Sequence, residues 1–242
     1  GPKIMVQEGE EYGTIYGYDY VRHENGQPIL NEAGTHYEIT DKLVPVGNAS
    51  PQFTGGWTTE ARYKNFSLTT LVDAKIGGDI YAGSYVIGQQ TGQSPSTLIE
   101  RDGGGLPYTD PAGEERNIGV ILPGVNANGQ PNDKVVHYYY KYLPNAGGWG
   151  KVLTTPGILD NTWFKMRELA LTYNMPANKV QKLKLFQNLK FSLVGRDLFY
   201  LYSSLPDRVN PEGQSGSGNA QGLEWASFPS MRSMSVRITS SF

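Results

Sequence analysis

Apolar and polar residues alternate along the end of this chain. Residues 231–242 read Met-Arg-Ser-Met-Ser-Val-Arg-Ile-Thr-Ser-Ser-Phe. Met234, Val236, Ile238 and Phe242 share one face, with Ser240 the exception, and Ser233, Ser235, Arg237, Thr239 and Ser241 share the other. Successive side chains of a strand point to opposite faces, so this stretch predicts a strand with one apolar and one polar side. The same pattern recurs upstream. In Leu189–Leu198, Phe191, Leu193 and Gly195 oppose Ser192, Val194 and Arg196. In Trp163–Tyr173, Leu169, Leu171 and Tyr173 oppose Glu168, Ala170 and Thr172. In Phe66–Lys75, Phe66, Leu68, Val72 and Ala74 oppose Ser67, Thr69, Asp73 and Lys75, and a tight Lys64-Asn65 turn joins this strand to another at about Phe53–Tyr63. Apolar-out, polar-in strands suit a membrane β-barrel, where one face meets lipid and the other a wet lumen. An edge strand of a soluble β-sandwich has the same alternation.

The connections separate these two readings. The turn at Lys64-Asn65 is short, and so is the link from Asn174-Met-Pro176 through the basic stretch Lys179–Lys184, which holds one helical turn. The other connections are long and rich in Gly, Ser and Asn, as in Glu212–Asn219. Barrels of the outer-membrane type place short turns on the periplasmic side and long loops outside. Counting strands on that basis predicts residues 1–50 as an extracellular segment, 51–76 as a strand hairpin and 77–161 as a long extracellular loop. It predicts 162–198 as two strands with a periplasmic turn, 199–228 as an extracellular loop and 229–242 as the last strand. Roughly five spanning strands cannot close a barrel, whose bacterial forms start at about eight, and lipid does not tolerate open sheet edges. Either further strands lie on another chain or a missing segment, or this strand topology is wrong.

Composition agrees with an all-β chain. Thirty glycines, sixteen tyrosines and fifteen prolines favour strands and elaborate loops over helices. A net charge of −2 supplies no basic field for nucleic acid. With no cysteine there are no disulfides, thiolate zinc sites or thiol chemistry. No run of about eighteen apolar residues predicts a membrane-spanning helix. The chain shows no signal peptide and does not begin with methionine, so it reads as a piece of a longer protein.

Asn48-Ala-Ser-Pro51-Gln-Phe-Thr-Gly-Gly56, followed by Arg62-Tyr-Lys-Asn-Phe66-Ser-Leu68, forms one ordered motif, and Asn161-Thr-Trp-Phe-Lys165-Met-Arg-Glu168-Leu-Ala-Leu-Thr-Tyr173-Asn-Met-Pro176 forms another. Both resemble stretches of the SusC/RagA family of TonB-dependent outer-membrane transporters. Gly195-Arg196-Asp197-Leu198-Phe199 resembles a segment in which the family carries Asn where this chain has Asp197. Phe228-Pro229, Arg232 and the terminal Phe242 resemble the opening and aromatic close of the family's last strand, with Phe242 as the barrel assembly signal, and Gly119–Gly129 resembles a loop. Ser240 departs from the apolar residue more usual there. The resemblance implies the C-terminal section of a 22-stranded barrel whose plug, TonB-contacting segment and remaining strands lie elsewhere. It also implies import of oligosaccharides or peptides across the bacterial outer membrane, with a SusD-like surface lipoprotein as lid and TonB as the driving partner.

Face alternation nominates roles within that frame. Phe66, Leu68, Leu169, Leu171, Val236, Ile238 and Phe242 are expected to meet lipid, and Asp73, Lys75, Glu168, Arg196 and Arg237 to line the interior. Tyr138, Tyr139, Tyr140 and Trp149 lie in the longest loop, where flat rings on glycine-flexed backbone suit stacking on a sugar or peptide. They equally suit folding the loop on itself or contacting the lid. Tyr200, Tyr202 and Trp225 are candidates for an aromatic girdle.

Enzymatic chemistry is not legible. His23, His36 and His137 have no partners at metal-ligand spacing, and no Ser-His-Asp order or catalytic carboxylate pair stands out. Asp102, Asp110 and Glu114 are candidate calcium ligands, although they lack the alternating spacing of an EF-hand loop. Gly213–Gly218 lacks the lysine of a phosphate loop. No cofactor is expected. The competing reading is a soluble carbohydrate-binding β-sandwich.

Overall fold

Runs of aromatic and β-branched residues become strands, and Gly, Asn and Pro clusters become the connections between them. The protein is seen here as a computed structural model that describes residues 1–142, 151–216 and 218–241. Its strands are β1 (Lys3–Ile4), β2 (Thr14–Gly17), β3 (Val44–Asn48), β4 (Phe53–Tyr63), β5 (Phe66–Ile76), β6 (Asp79–Ala82) and β7 (Leu106–Thr109). They continue as β8 (Glu115–Ile121), β9 (Val135–His137), β10 (Ile158–Asp160), β11 (Trp163–Asn174), β12 (Asn188–Ser203), β13 (Leu223–Glu224) and β14 (Ser233–Ser241). Three short helices, α1 (Gly83–Gln90), α2 (Tyr139–Tyr142) and α3 (Ala177–Val180), complete the elements used below. None of the described helices is long and apolar enough to cross a membrane.

The chain divides into two units. The long-strand unit gathers residues 51–77, 161–204 and 229–242. It is one antiparallel sheet in the order β14-β12-β11-β5-β4. Its strands run 11, 11, 12, 16 and 9 residues in chain order. A tilted strand of about 9–11 residues crosses a bilayer core, so each is long enough to do so. A two-residue turn with Lys64 at φ 52° joins β4 to β5. The predicted connection at 199 starts later, because β12 continues to Ser203.

Register shifts interrupt the β11–β12 pairing at Phe164/Lys165 and at Met166/Glu168, and the second also interrupts the β11–β5 pairing. Glu168 faces Leu71 on β5 and Arg196 on β12, while Met166 faces Val72 and Phe199. Arg167 is thus an extra residue in β11, opposite the extra pair Asp197 and Leu198 in β12. Asp197 sits at φ 52°, the left-handed region that Asn and Asp tolerate best among residues with a side chain. The exchange of Asn for Asp at this position therefore keeps a residue type that suits the backbone.

The second unit gathers residues 1–50, 78–160 and 205–228. It holds three three-stranded sheets, ordered β1-β2-β3, β10-β6-β13 and β7-β8-β9. Residues 77–161, expected as a single long loop, contain strands β6 to β10 and two helices, so much of their backbone is satisfied internally. Leu30, Val120, Leu122 and Val136 form a buried cluster there, with Tyr37, Tyr138 and Tyr140 packed against it.

Candidate functional site

The two faces of the long-strand sheet differ in chemistry. Register places Leu68 beside Leu171, Leu171 beside Leu193 and Leu193 beside Val236, with Val72 opposite Met166 in a separate tier of the same face. These aliphatic side chains form a central band, and Val236 is 74% exposed. Aromatic rows bound the band. Tyr63, Phe66, Tyr173 and Phe191 follow one another in register at one end, with the Phe66 and Tyr173 rings 5.0 Å apart. Phe53, Trp57, Phe164 and Tyr202 lie toward the other, with the last two rings 6.3 Å apart. An outward apolar band between two aromatic girdles is the lipid-facing pattern of membrane barrels.

The reverse face is polar and cross-linked. Arg167 Nε donates to Asp73 Oδ2 at 2.6 Å and Arg167 Nη1 to Asp197 Oδ1 at 2.5 Å. Lys165 Nζ lies 3.0 Å from the same Asp197 oxygen, with only 3% of its side chain exposed. The ammonium also lies 5.0 Å from the centre of the Tyr200 ring. Further along the same pair of strands, Arg196 Nε donates to Glu168 Oε2 at 2.8 Å, and the Thr172 and Ser192 hydroxyls are 2.8 Å apart. The bulge produces this arrangement, because the extra residue Arg167 shifts the alternation and brings Glu168, three positions after Lys165, onto the same face.

Asp73, Lys75, Glu168, Arg196 and Arg237 all fall on this polar face by register. Sequence reasoning missed Lys165, Arg167 and Asp197 as members of the cluster. The bulge shifts the period by one residue, and only the unexpected acid in the Gly195–Phe199 segment marked it beforehand. Of the girdle candidates, Tyr202 is on the apolar face. Tyr200 instead turns to Lys165, and Trp225 packs on Tyr81 in the second unit at 5.3 Å.

The candidate ligand aromatics separate. Tyr138 and Tyr140 pack against the core of the second unit, where their rings stabilise the fold, while Tyr139 stays exposed. The Tyr138 ring lies 4.5 Å from that of His137, and Tyr140 makes an edge contact with His36 at 5.3 Å. Trp149 and Phe242 lie outside the described residues. The calcium candidates do not converge. Asp110 Oδ1 accepts the amides of Ala112 and Glu114 within its own turn, Glu114 pairs with Arg116, and Asp102 sits in the separate turn Glu100–Gly104. Among the described residues no three acidic or histidine side chains gather as metal ligands.

Two buried carboxylates in the second unit were not anticipated. Glu224 Oε1 accepts from the Ser84 hydroxyl at 2.7 Å and from the Ser227 amide and hydroxyl, while Oε2 accepts the Ser84 amide at 3.0 Å. Burial pushes its carboxyl pKa up, but these hydrogen bonds outweigh burial and hold it below the usual value. Glu100 pairs with Lys141 at 2.6 Å and accepts from the Tyr142 hydroxyl at 2.9 Å. Glu100 and Lys141 border a recess of about 400 Å³ that is also lined by Gly105, Gly119 and Leu122. Each group pairs residues far apart in sequence, which no local pattern announces.

No family model matches the chain. Its sequence is 23% identical over 263 aligned positions to TonB-dependent receptor P3 of Formosa agariphila, covering 98% of this chain and 23% of that protein. Its fold superposes on the RagAB peptide importer in the open-open state with a TM-score of 0.52 and 15% identity, covering 99% of this chain and 24% of that one. The closed-closed state gives 0.51 and 16%, covering 99% and 25%.

The chain has the fold of a SusC/RagA-type TonB-dependent receptor segment.

It spans about a quarter of the length of these relatives. The resemblance read from the short motifs is borne out, as are the all-β class and the outer-membrane setting. Its relatives are named as receptors and importers, not as enzymes.

Proposed function

We propose that this chain forms a wall segment and outside elements of an outer-membrane importer that takes up oligosaccharides or peptides. In this reading TonB drives uptake through the plug, and a SusD-like lipoprotein closes over the outer mouth. The single observation that carries it is the sheet with an exposed aliphatic band bounded by aromatic rows and a charged, cross-linked reverse face. The apolar face meets lipid, and the face holding Asp73, Lys75, Glu168, Arg196 and Arg237 lines the barrel interior, with the Asp73–Arg167–Asp197 bridge stiffening the wall. The edges β4 and β14 each have one neighbour among the described strands, so partner strands complete the barrel. The second unit lies outside the membrane, and exposed Tyr139 together with Trp149 are its candidates for ligand stacking.

A carbohydrate-binding sandwich would bury the same aliphatic side chains in a core, which the exposure of Met234, Val236 and Ile238 opposes. The test is to purify the intact protein from its source membrane in detergent and identify what accompanies it. The expected result is a large, detergent-dependent particle containing further barrel sequence and a lipoprotein, with co-purifying peptides or glycans identified by mass spectrometry. A detergent-free monomer would return the sandwich to first place.

A further inference from the structure

The link between β11 and β12 carries charge of one sign only. From Asn174 to Phe191 the chain contains Lys179, Lys182, Lys184 and Lys190 and no aspartate or glutamate. Lys179, Lys182 and Lys184 are exposed. Leucines alternate with two of them in Lys182-Leu183-Lys184-Leu185, and Leu183 and Leu185 are 49% and 62% exposed. The link is nevertheless well structured. Val180 is buried, the Met175 amide donates to the Leu189 carbonyl at 2.9 Å, and the Gln187 amide donates to the Ser241 carbonyl at 2.8 Å. Lys184 holds a left-handed backbone at φ 55°, which closes the last turn.

Its place in the sheet gives the pattern meaning. The Asn174 amide donates to the Asn65 carbonyl at 2.7 Å, so the link begins beside the β4–β5 turn that carries Lys64. The row Tyr63, Phe66, Tyr173 and Phe191 ends the apolar face at this same margin. Aromatics at a membrane boundary sit at headgroup level, and lysines just beyond them reach the phosphates while neighbouring leucines enter the acyl boundary.

We infer that the Lys179–Leu185 segment is a docking surface for anionic phospholipid headgroups in the adjacent leaflet. Charge complementarity selects the occupant: three exposed lysines with no acid in the link match a phosphodiester surface, and the exposed leucines match a lipid surface more than a soluble anion. The inference rests on the membrane reading of the sheet. It adds a lipid preference that neither the apolar band nor the aromatic rows would produce.

The test uses the intact receptor in detergent, with its unfolding midpoint titrated against short-chain phosphatidylglycerol, short-chain phosphatidylcholine and inorganic phosphate. Phosphatidylglycerol is expected to raise the midpoint saturably and more than phosphatidylcholine, with no effect of phosphate. The K179Q/K182Q/K184Q variant should weaken the apparent phosphatidylglycerol affinity about tenfold or more, since each lysine near an anionic surface contributes about fivefold. The corresponding triple arginine variant should restore it. Rising salt should erode the phosphatidylglycerol preference of the unmodified receptor, a readout that needs no variant to fold. Equal responses to the two lipids, a salt-independent preference or an unaffected glutamine variant overturns the inference. A phosphate response matching that of phosphatidylglycerol overturns the lipid source. A receptor that stays folded and monodisperse without detergent overturns the membrane reading together with this inference.

Discussion

The two units solve opposite solvent problems. In the second unit Leu30, Val120, Leu122 and Val136 turn inward, and the buried Glu224 carboxylate accepts hydrogen bonds at both of its oxygens. In the long-strand unit the apolar residues turn outward, and the charges gather on the reverse face as Asp73–Arg167–Asp197–Lys165 and Glu168–Arg196. Burial of apolar area stabilises the first in water. The second gains the same benefit only if its surroundings are hydrocarbon. The contrast shows that the solvent, and not the sheet itself, decides which side of a strand is its inside.

Lysine scanning breaks this comparison most sharply. Val236→Lys, in the aliphatic band, should cost about 2–4 kcal/mol of folding stability in vesicles, measured by denaturant titration. The same change at exposed Val6 of the second unit should stay within about 0.5 kcal/mol. Equal small effects at both sites would remove the lipid assignment.

Internal polar networks come next. Glu224→Ala leaves the Ser84 and Ser227 donors without their carboxylate and should cost about 1–3 kcal/mol. Faster proteolysis confined to residues 205–228 would report it. At Asp197 the comparison is between two replacements. Asp197→Leu loses both the tolerated left-handed backbone and the acceptor for Arg167 and Lys165, so it should destabilise the sheet by about 2 kcal/mol more than Asp197→Asn. If the two replacements are indistinguishable in thermal unfolding, the bulge does not depend on this residue.

The smallest effect is on pH. The folded-state pKa of Glu224 is lowered, so its contribution is complete above the unfolded carboxylate value and is lost as pH falls through the folded one. Stability of the second unit should therefore decline on acidification below about pH 4.3, the ordinary glutamate value. The Glu224→Gln variant should flatten that decline, as followed by hydrogen exchange at Ser84 and Ser227.

Much of the wall was legible from the order of residues. A period of two places Leu68, Leu171, Val236 and Ile238 on one face and Asp73, Glu168 and Arg196 on the other, whatever the partners, because a strand has only two sides. The short Lys64-Asn65 turn likewise fixes how β4 meets β5. Other features depend on contacts between distant residues. Arg167 meets Asp197 across 30 positions and Asp73 across 94, through a bulge that appears only when three strands are aligned. Glu224 meets Ser84 across 140 positions, and the order of residues around Tyr138 and Tyr140 did not reveal that their rings support a core. Alternation is a local property of the backbone and could be read one strand at a time. Which charges pair, which aromatics are buried and where the pairing slips depend on long-range registers, and those were decided only by the tertiary structure.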